Sequence, residues 1–125
     1  MKFRMEDKLK ALIVDDEDDV CYLLSAILKH KNLQARYVTS INDAKKVLEE
    51  DIPSIIFLDN HLPDGFGVNF IEEVKKSYPE IKIVMITAHD TTADKTKAYK
   101  EGVDHFIGKP FTREVIYRAL DNLLN

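Results

Sequence analysis

The sequence predicts a single α/β domain, a doubly wound parallel sheet with helices on both faces. Three observations predict it. Short runs rich in branched apolar residues alternate with stretches whose apolar residues recur every three or four positions. The two central runs, residues 54–58 and 81–86, are apolar on both faces, as strands covered on both sides must be. The 125 residues suit one domain and leave little room for a second.

In chain order, Leu9–Val14 is the first strand, and the polar Asp15 ends it. Val20, Leu23, Leu24, Ile27 and Leu28 form the stripe of the first helix. A weaker run at 34–38 gives the second strand. Ser40 followed by Asp43 offers an N-cap to a second helix reaching about Glu50, and Pro53 marks where that helix must have ended. The third strand is 54–58, and Val68, Phe70, Ile71, Val74 and Tyr78 make the stripe of the third helix. The fourth strand is 81–86. The fourth helix, roughly Thr92–Glu101 and closed by Gly102, is the least apolar and so the most weakly held. A weak fifth strand at 103–107 precedes a last helix capped by Thr112, with Val115, Ile116, Ala119, Leu120 and Leu123 as its stripe. Five strands alternating with five helices require crossovers, and these are right-handed. No linker, low-complexity segment or repeat interrupts the pattern.

Composition narrows the function. Hydrophobic residues make up 45% and charged residues 32%, the balance of a globular protein. A formal charge of −4 gives no attraction to nucleic acid or to an anionic membrane. The lone Cys21 cannot form an internal disulfide, which fits a reducing compartment. The first ten residues are mostly charged and lack the apolar core of a signal peptide. No run approaches the ~18 apolar residues of a membrane span. A cytoplasmic location is expected.

In an open parallel sheet, ligands bind beyond the carboxyl ends of the strands. Here the first strand ends in Asp15-Asp16, the third in Asp59 and the fourth in Thr87, and Lys109-Pro110 follows the fifth. Each has a bland reading. The run Asp15 to Asp19 precedes a helix, where carboxylates favour the helix dipole, and Asp18 and Asp19 are read that way. Thr87 alone is a residue with high strand propensity, and Lys109 alone is a solvated loop lysine. Asp59 is harder to dismiss, because a carboxylate directly after Ile-Ile-Phe-Leu is costly to desolvate without compensation. Taken together, three carboxylates, a hydroxyl and an ammonium aim at one crevice. Such a cluster asks for a cation, and all-oxygen ligands at few positions suit Mg²⁺ shared with phosphate oxygens. Phosphoryl transfer to an Asp59 nucleophile, neutralised by the metal and Lys109, is the chemistry these groups fit.

The segments LIVDDEDD, FLDNHLPDGFGVNFI, VMITAHD and FIGKPF, in this order and spacing, resemble a response-regulator receiver domain of two-component signalling, the chemotaxis-regulator-like type. The resemblance covers residues from about 9 to 124. It implies a flavodoxin-like sheet of strand order 2-1-3-4-5. It makes Asp59 the phosphoacceptor and Asp15 and Asp16 the acid pair that binds Mg²⁺, Asp16 directly and Asp15 mainly through water. Asp59 and the backbone carbonyl of His61 complete the ligands. Thr87 becomes the switch hydroxyl, Lys109 the partner of a phosphoryl oxygen, and the Lys109-Pro110 peptide is cis. Phe106 takes the position of the switch aromatic, without the hydroxyl of a tyrosine. His61 and His89 lie two residues after Asp59 and Thr87, positions that in the family tune phosphoryl lifetime; exposed loop histidines without effect are the equal alternative.

The same resemblance implies a signalling domain and no enzyme of its own, with autocatalytic phosphotransfer and slow autodephosphorylation. The donor is a histidine kinase or a histidine phosphotransfer protein. The output is a partner or a homodimer through the face of the fourth helix, fifth strand and fifth helix, with Lys95, Lys97, Tyr99, Lys100, Tyr117 and Arg118 as surface candidates. Residues 1–125 are expected to be one receiver domain without an effector domain. Two rivals fit worse. A phosphatase of the haloacid dehalogenase type needs a second aspartate two residues after the first, where this chain has Glu17, and room for a cap domain. A flavin module needs a Ser, Thr and Gly loop after the first strand, where this chain is acidic.

Overall fold

A computed structural model describes residues 9–124. The charged start of the chain, read above as lacking a signal peptide, lies outside the described residues up to position 8. β1 (Leu9–Val14), β2 (Leu33–Val38), β3 (Ile55–Leu58), β6 (Lys82–Thr87) and β7 (His105–Gly108) form one five-stranded sheet in the order β2-β1-β3-β6-β7, every pairing parallel. This is the expected 2-1-3-4-5 order. The numbering differs because a small antiparallel hairpin, β4 (His61–Leu62) with β5 (Gly65–Phe66), intervenes.

Five helices cover the sheet: α1 (Asp18–His30), α2 (Ile41–Glu50), α3 (Gly67–Ser77), α4 (Thr92–Glu101) and α5 (Arg113–Leu124). The period-two alternation of the strands sorts the core into two layers. Leu12, Val14, Ile56, Leu58, Ile83, Met85 and Phe106 pack with α2, α3 and Ala98 of α4. Ala11, Ile13, Ile55, Phe57, Val84, Ile86 and Ile107 pack with α1 and α5. Burial is complete through β3, which explains its unbroken apolar run.

Local signals act where the residues put them. Ser40 Oγ accepts the Asp43 N–H at 3.1 Å, capping α2. Thr112 Oγ1 accepts the Val115 N–H at 3.2 Å at the start of α5. Gly102 closes α4 with φ of 110°, a left-handed conformation that favours glycine. α4 buries only Ala98, the weak anchorage its polar sequence predicts. No helix among the described residues is long and apolar enough to cross a membrane.

Candidate functional site

Strand alternation brings the polar groups to one edge. Asp15 continues the row of Ala11 and Ile13, Asp59 that of Ile55 and Phe57, and Lys109 that of Ile107. The backbone fixes the strand ends, with Asp15 N–H donating to Val38 at 3.1 Å and Asp59 N–H to Val14 at 2.9 Å. Asp15 and Asp59 are both buried, at 2% and 6% exposure. Lys109 Nζ stands 2.9 Å from Asp15 Oδ2, 2.7 Å from Glu17 Oε1 and 3.7 Å from Asp59 Oδ2. A carboxylate oxygen from each of Asp15, Glu17 and Asp59 lies within 4.8 Å of the other two.

Asp16 is not in this group. It is exposed, and it follows the opposite row, that of Leu12 and Val14. Glu17, two residues beyond Asp15, takes the place beside Lys109. In the sequence Glu17 is part of an acidic run before a helix, and nothing local but its spacing of two from Asp15, which matches the strand period, marks it for the site.

Electrostatics follow from burial. Desolvation raises the Asp59 carboxyl above its ordinary value of 3.8, and the charge on Asp15 adds to the rise. Lys109 and the backbone N–H groups of Asn60 and His61 oppose it. Desolvation likewise raises Asp15, against its hydrogen bonds to Lys109 and the Glu17 N–H. Burial works against the Lys109 charge, but the bonds to Asp15 and Glu17 and the charge of Asp59 outweigh it and push the ammonium up to about 12. The crevice thus holds more negative charge than one ammonium offsets. Three oxygen donors at this spacing could hold a divalent cation, and the donor set suits Mg²⁺.

The rest of the rim is set by loops. Thr87 is buried at the end of β6, and its Oγ1 accepts the His89 N–H at 3.2 Å. Lys109 N–H donates to Thr87 O at 2.8 Å, and the Lys109-Pro110 peptide is cis. The His61 and His89 rings face each other with centroids 3.9 Å apart, and Phe66 meets His61 edge-on at 5.3 Å. Phe106 is buried in β7 beside a cavity of about 250 Å³ that Met85, His61 and His89 also line. The Asp59 loop is braced twice. Asn60 Oδ1 accepts the Val68 N–H at 2.9 Å, at the start of α3. Asp64 accepts from the N–H groups of Ile41 and Asn42, both at 2.9 Å, at the start of α2. Gly67 is required there, because a Cβ would come within 2.3 Å of the Asp59 carbonyl oxygen.

Comparison with known proteins agrees with this architecture. The family model for the response regulator receiver domain matches residues 11–121. The beryllofluoride-activated NtrC4 receiver domain, a dimer solved in solution, is 33% identical with a TM-score of 0.87, over 91% of this chain and 94% of that one. A putative response regulator from Chloroflexus aurantiacus is 26% identical with a TM-score of 0.86, over 94% of this chain and 99% of that one. NtrX from Brucella abortus, solved with ADP, is 28% identical with a TM-score of 0.87 over 94% of this chain. This chain spans only 27% of that NtrX chain. With the family model matched along nearly its whole length and a sheet of the expected order, the chain belongs to the response regulator receiver domain family.

Proposed function

We propose that this receiver domain accepts a phosphoryl group on Asp59 from a phosphohistidine of a histidine kinase or histidine phosphotransfer protein. The observation that carries the reading is the buried Asp59 carboxylate held near a second buried carboxylate and the half-buried Lys109 ammonium at the sheet's carboxyl edge. A bound Mg²⁺ supplies charge neutralisation for the transferred phosphoryl oxygens. Asp59, the acid pair Asp15 and Asp16, and the backbone carbonyl of His61 would hold it, Asp16 being exposed and outside the carboxylate group of Asp15, Glu17 and Asp59. The excess negative charge of Asp15, Glu17 and Asp59 over the one ammonium of Lys109 supports a bound cation.

Asp59 is the nucleophile. Its carboxylate attacks phosphorus, the bond to the donor imidazole breaks, and the electron pair leaves with the histidine. Lys109 pairs with one phosphoryl oxygen, and the Thr87 hydroxyl donates to another. Drawing Thr87 toward the phosphoryl group loosens the space beside Phe106, which borders the 250 Å³ cavity. The expected inward rotation of Phe106 has no exposed starting point here, since the ring is already buried; a change in its packing beside Thr87 would bias the face of α4, β7 and α5 between two arrangements. That face carries exposed Lys95, Lys97, Tyr99, Lys100 and Arg118, with Tyr117 half-buried. Its use is an output partner or a second copy of the chain, as the dimer of the NtrC4 receiver suggests. The paired His61 and His89 rings lie two residues after Asp59 and Thr87, positions that in the family tune phosphoryl lifetime; replacing both by alanine changes the dephosphorylation rate if they act there, and leaves it unchanged if they are exposed loop histidines without effect. The domain is a signalling module that turns over its own phosphoryl group slowly and works in the cytoplasm. Residues 1–125 act as one receiver unit.

The test is amide NMR with Mg²⁺ and the phosphate mimic beryllofluoride. The reading predicts saturable shifts at Asp59 and Thr87 that extend to α4, β7 and α5. Shifts confined to the crevice would remove the switching claim, and no binding would remove the whole reading.

A further inference from the structure

The Lys109 ammonium has three N–H donors, and two are committed. Asp15 Oδ2 accepts at 2.9 Å and Glu17 Oε1 at 2.7 Å, whereas Asp59 Oδ2 is 3.7 Å away, beyond hydrogen-bond reach. Glu17 precedes α1, and its own N–H donates to Asp15 Oδ1 at 2.9 Å. Its backbone is therefore fixed while its side chain, 59% exposed, folds across the mouth of the crevice onto Lys109. The Lys109 side chain is only 11% exposed, so water does little to screen what touches it.

The geometry points to Glu17 as a latch on Lys109, a positioning residue that holds the ammonium toward Asp15 and competes for it with any anion on Asp59. This rests on Asp59 being the phosphoacceptor. Charging Asp59 with a phosphoryl group then exchanges one ion pair for another. Lys109 Nζ is held 3.7 Å from Asp59 Oδ2 by its two bonds, so moving it toward a phosphoryl oxygen lengthens and breaks the bond to the exposed Glu17 while that to the buried Asp15 is kept, and the Glu17 carboxylate returns to water. No proton moves. Glu17 thereby sets how tightly the crevice holds a phosphoryl group without touching it. The factor is modest, because one partner of the pair faces solvent: roughly two- to fivefold is what such a pair commands.

The test titrates beryllofluoride at saturating Mg²⁺ into the whole chain, following amide shifts near Thr87. Glu17→Gln keeps the shape and removes the competing charge. Asp18→Asn removes a neighbouring exposed charge that makes no bond to Lys109, and so measures the general effect of one less negative group. Glu17→Gln should tighten binding two- to fivefold, and Asp18→Asn should change it by less than half as much. Equal effects, or no effect of Glu17→Gln, would overturn the latch. A second readout needs no anion: the side-chain ammonium resonance of Lys109 should shift in Glu17→Gln and stay put in Asp18→Asn. Should the unaltered protein ignore beryllofluoride, the phosphoacceptor reading fails, and that resonance alone still decides whether Glu17 holds Lys109.

Discussion

A carboxylate buried against another carboxylate is held at a cost, and Asp59 sits in that position. Its raised pKa turns the cost into a pH dependence. The folded state binds the Asp59 proton more tightly than the unfolded chain does. Stability from this group therefore falls as pH rises from the ordinary value of 3.8 through the raised folded value. Above that window the charged Asp59 destabilises the protein; below pH 3.8 both states are protonated and the effect is gone. Without divalent cation, Asp59→Asn should therefore stabilise the fold at pH 7, with little gain below pH 3.8. Urea midpoints at the two pH values measure this, and a destabilised Asp59→Asn at pH 7 would contradict it. Single residues were legible in the sequence where they end a strand. Asp15, Asp59 and Lys109 each extend an apolar row whose parity fixes their side. Glu17 was not, because its side chain reaches Lys109 across 92 positions of chain that no local pattern encodes.

The hairpin of β4 and β5 is the element the sequence hid. Each strand has two residues, too few for an alternation to register. Its position is set by tertiary contacts instead. Asp64 sits in its turn and caps α2 from outside, and those two N–H bonds hold its carboxyl below the ordinary range. α2 thus has two caps, Ser40 from its own sequence and Asp64 from the hairpin. Replacing either by alanine should cost about 1 kcal/mol. Their consequences differ: Ser40→Ala frays α2 alone, whereas Asp64→Ala also frees the hairpin that carries His61. Amide exchange should speed at Leu62 and Phe66 only in Asp64→Ala. Equal exchange in the two variants would mean that Asp64 caps a helix and does no more. The long elements were legible because their patterns run over ten or more residues, as in α1 and α5. α4 was legible as a helix and as weakly anchored, since Ala98 is the only side chain it commits to the core.

At the scale of the molecule, the sheet order delivers the chemistry. β1 and β3 are neighbours, so Asp15 and Asp59 end side by side, and β6 and β7 bring Thr87 and Lys109 to the same edge. The two core layers divide the labour. The groups around Lys109 stand on the rows that face α1 and α5, while Thr87 continues the row of Ile83 and Met85 on the layer shared with Phe106 and α4. A phosphoryl group on Asp59 would therefore sit between a layer that holds it and a layer that reports it. All of this depends on Asp59 being the group that is phosphorylated. The direct measurement is intact mass after incubation with Mg²⁺ and a small phosphodonor, on the parent chain and on Asp59→Ala. The account predicts a gain of about 80 Da in the parent and none in the variant. A gain that survives in Asp59→Ala, or a parent that gains nothing, would contradict it.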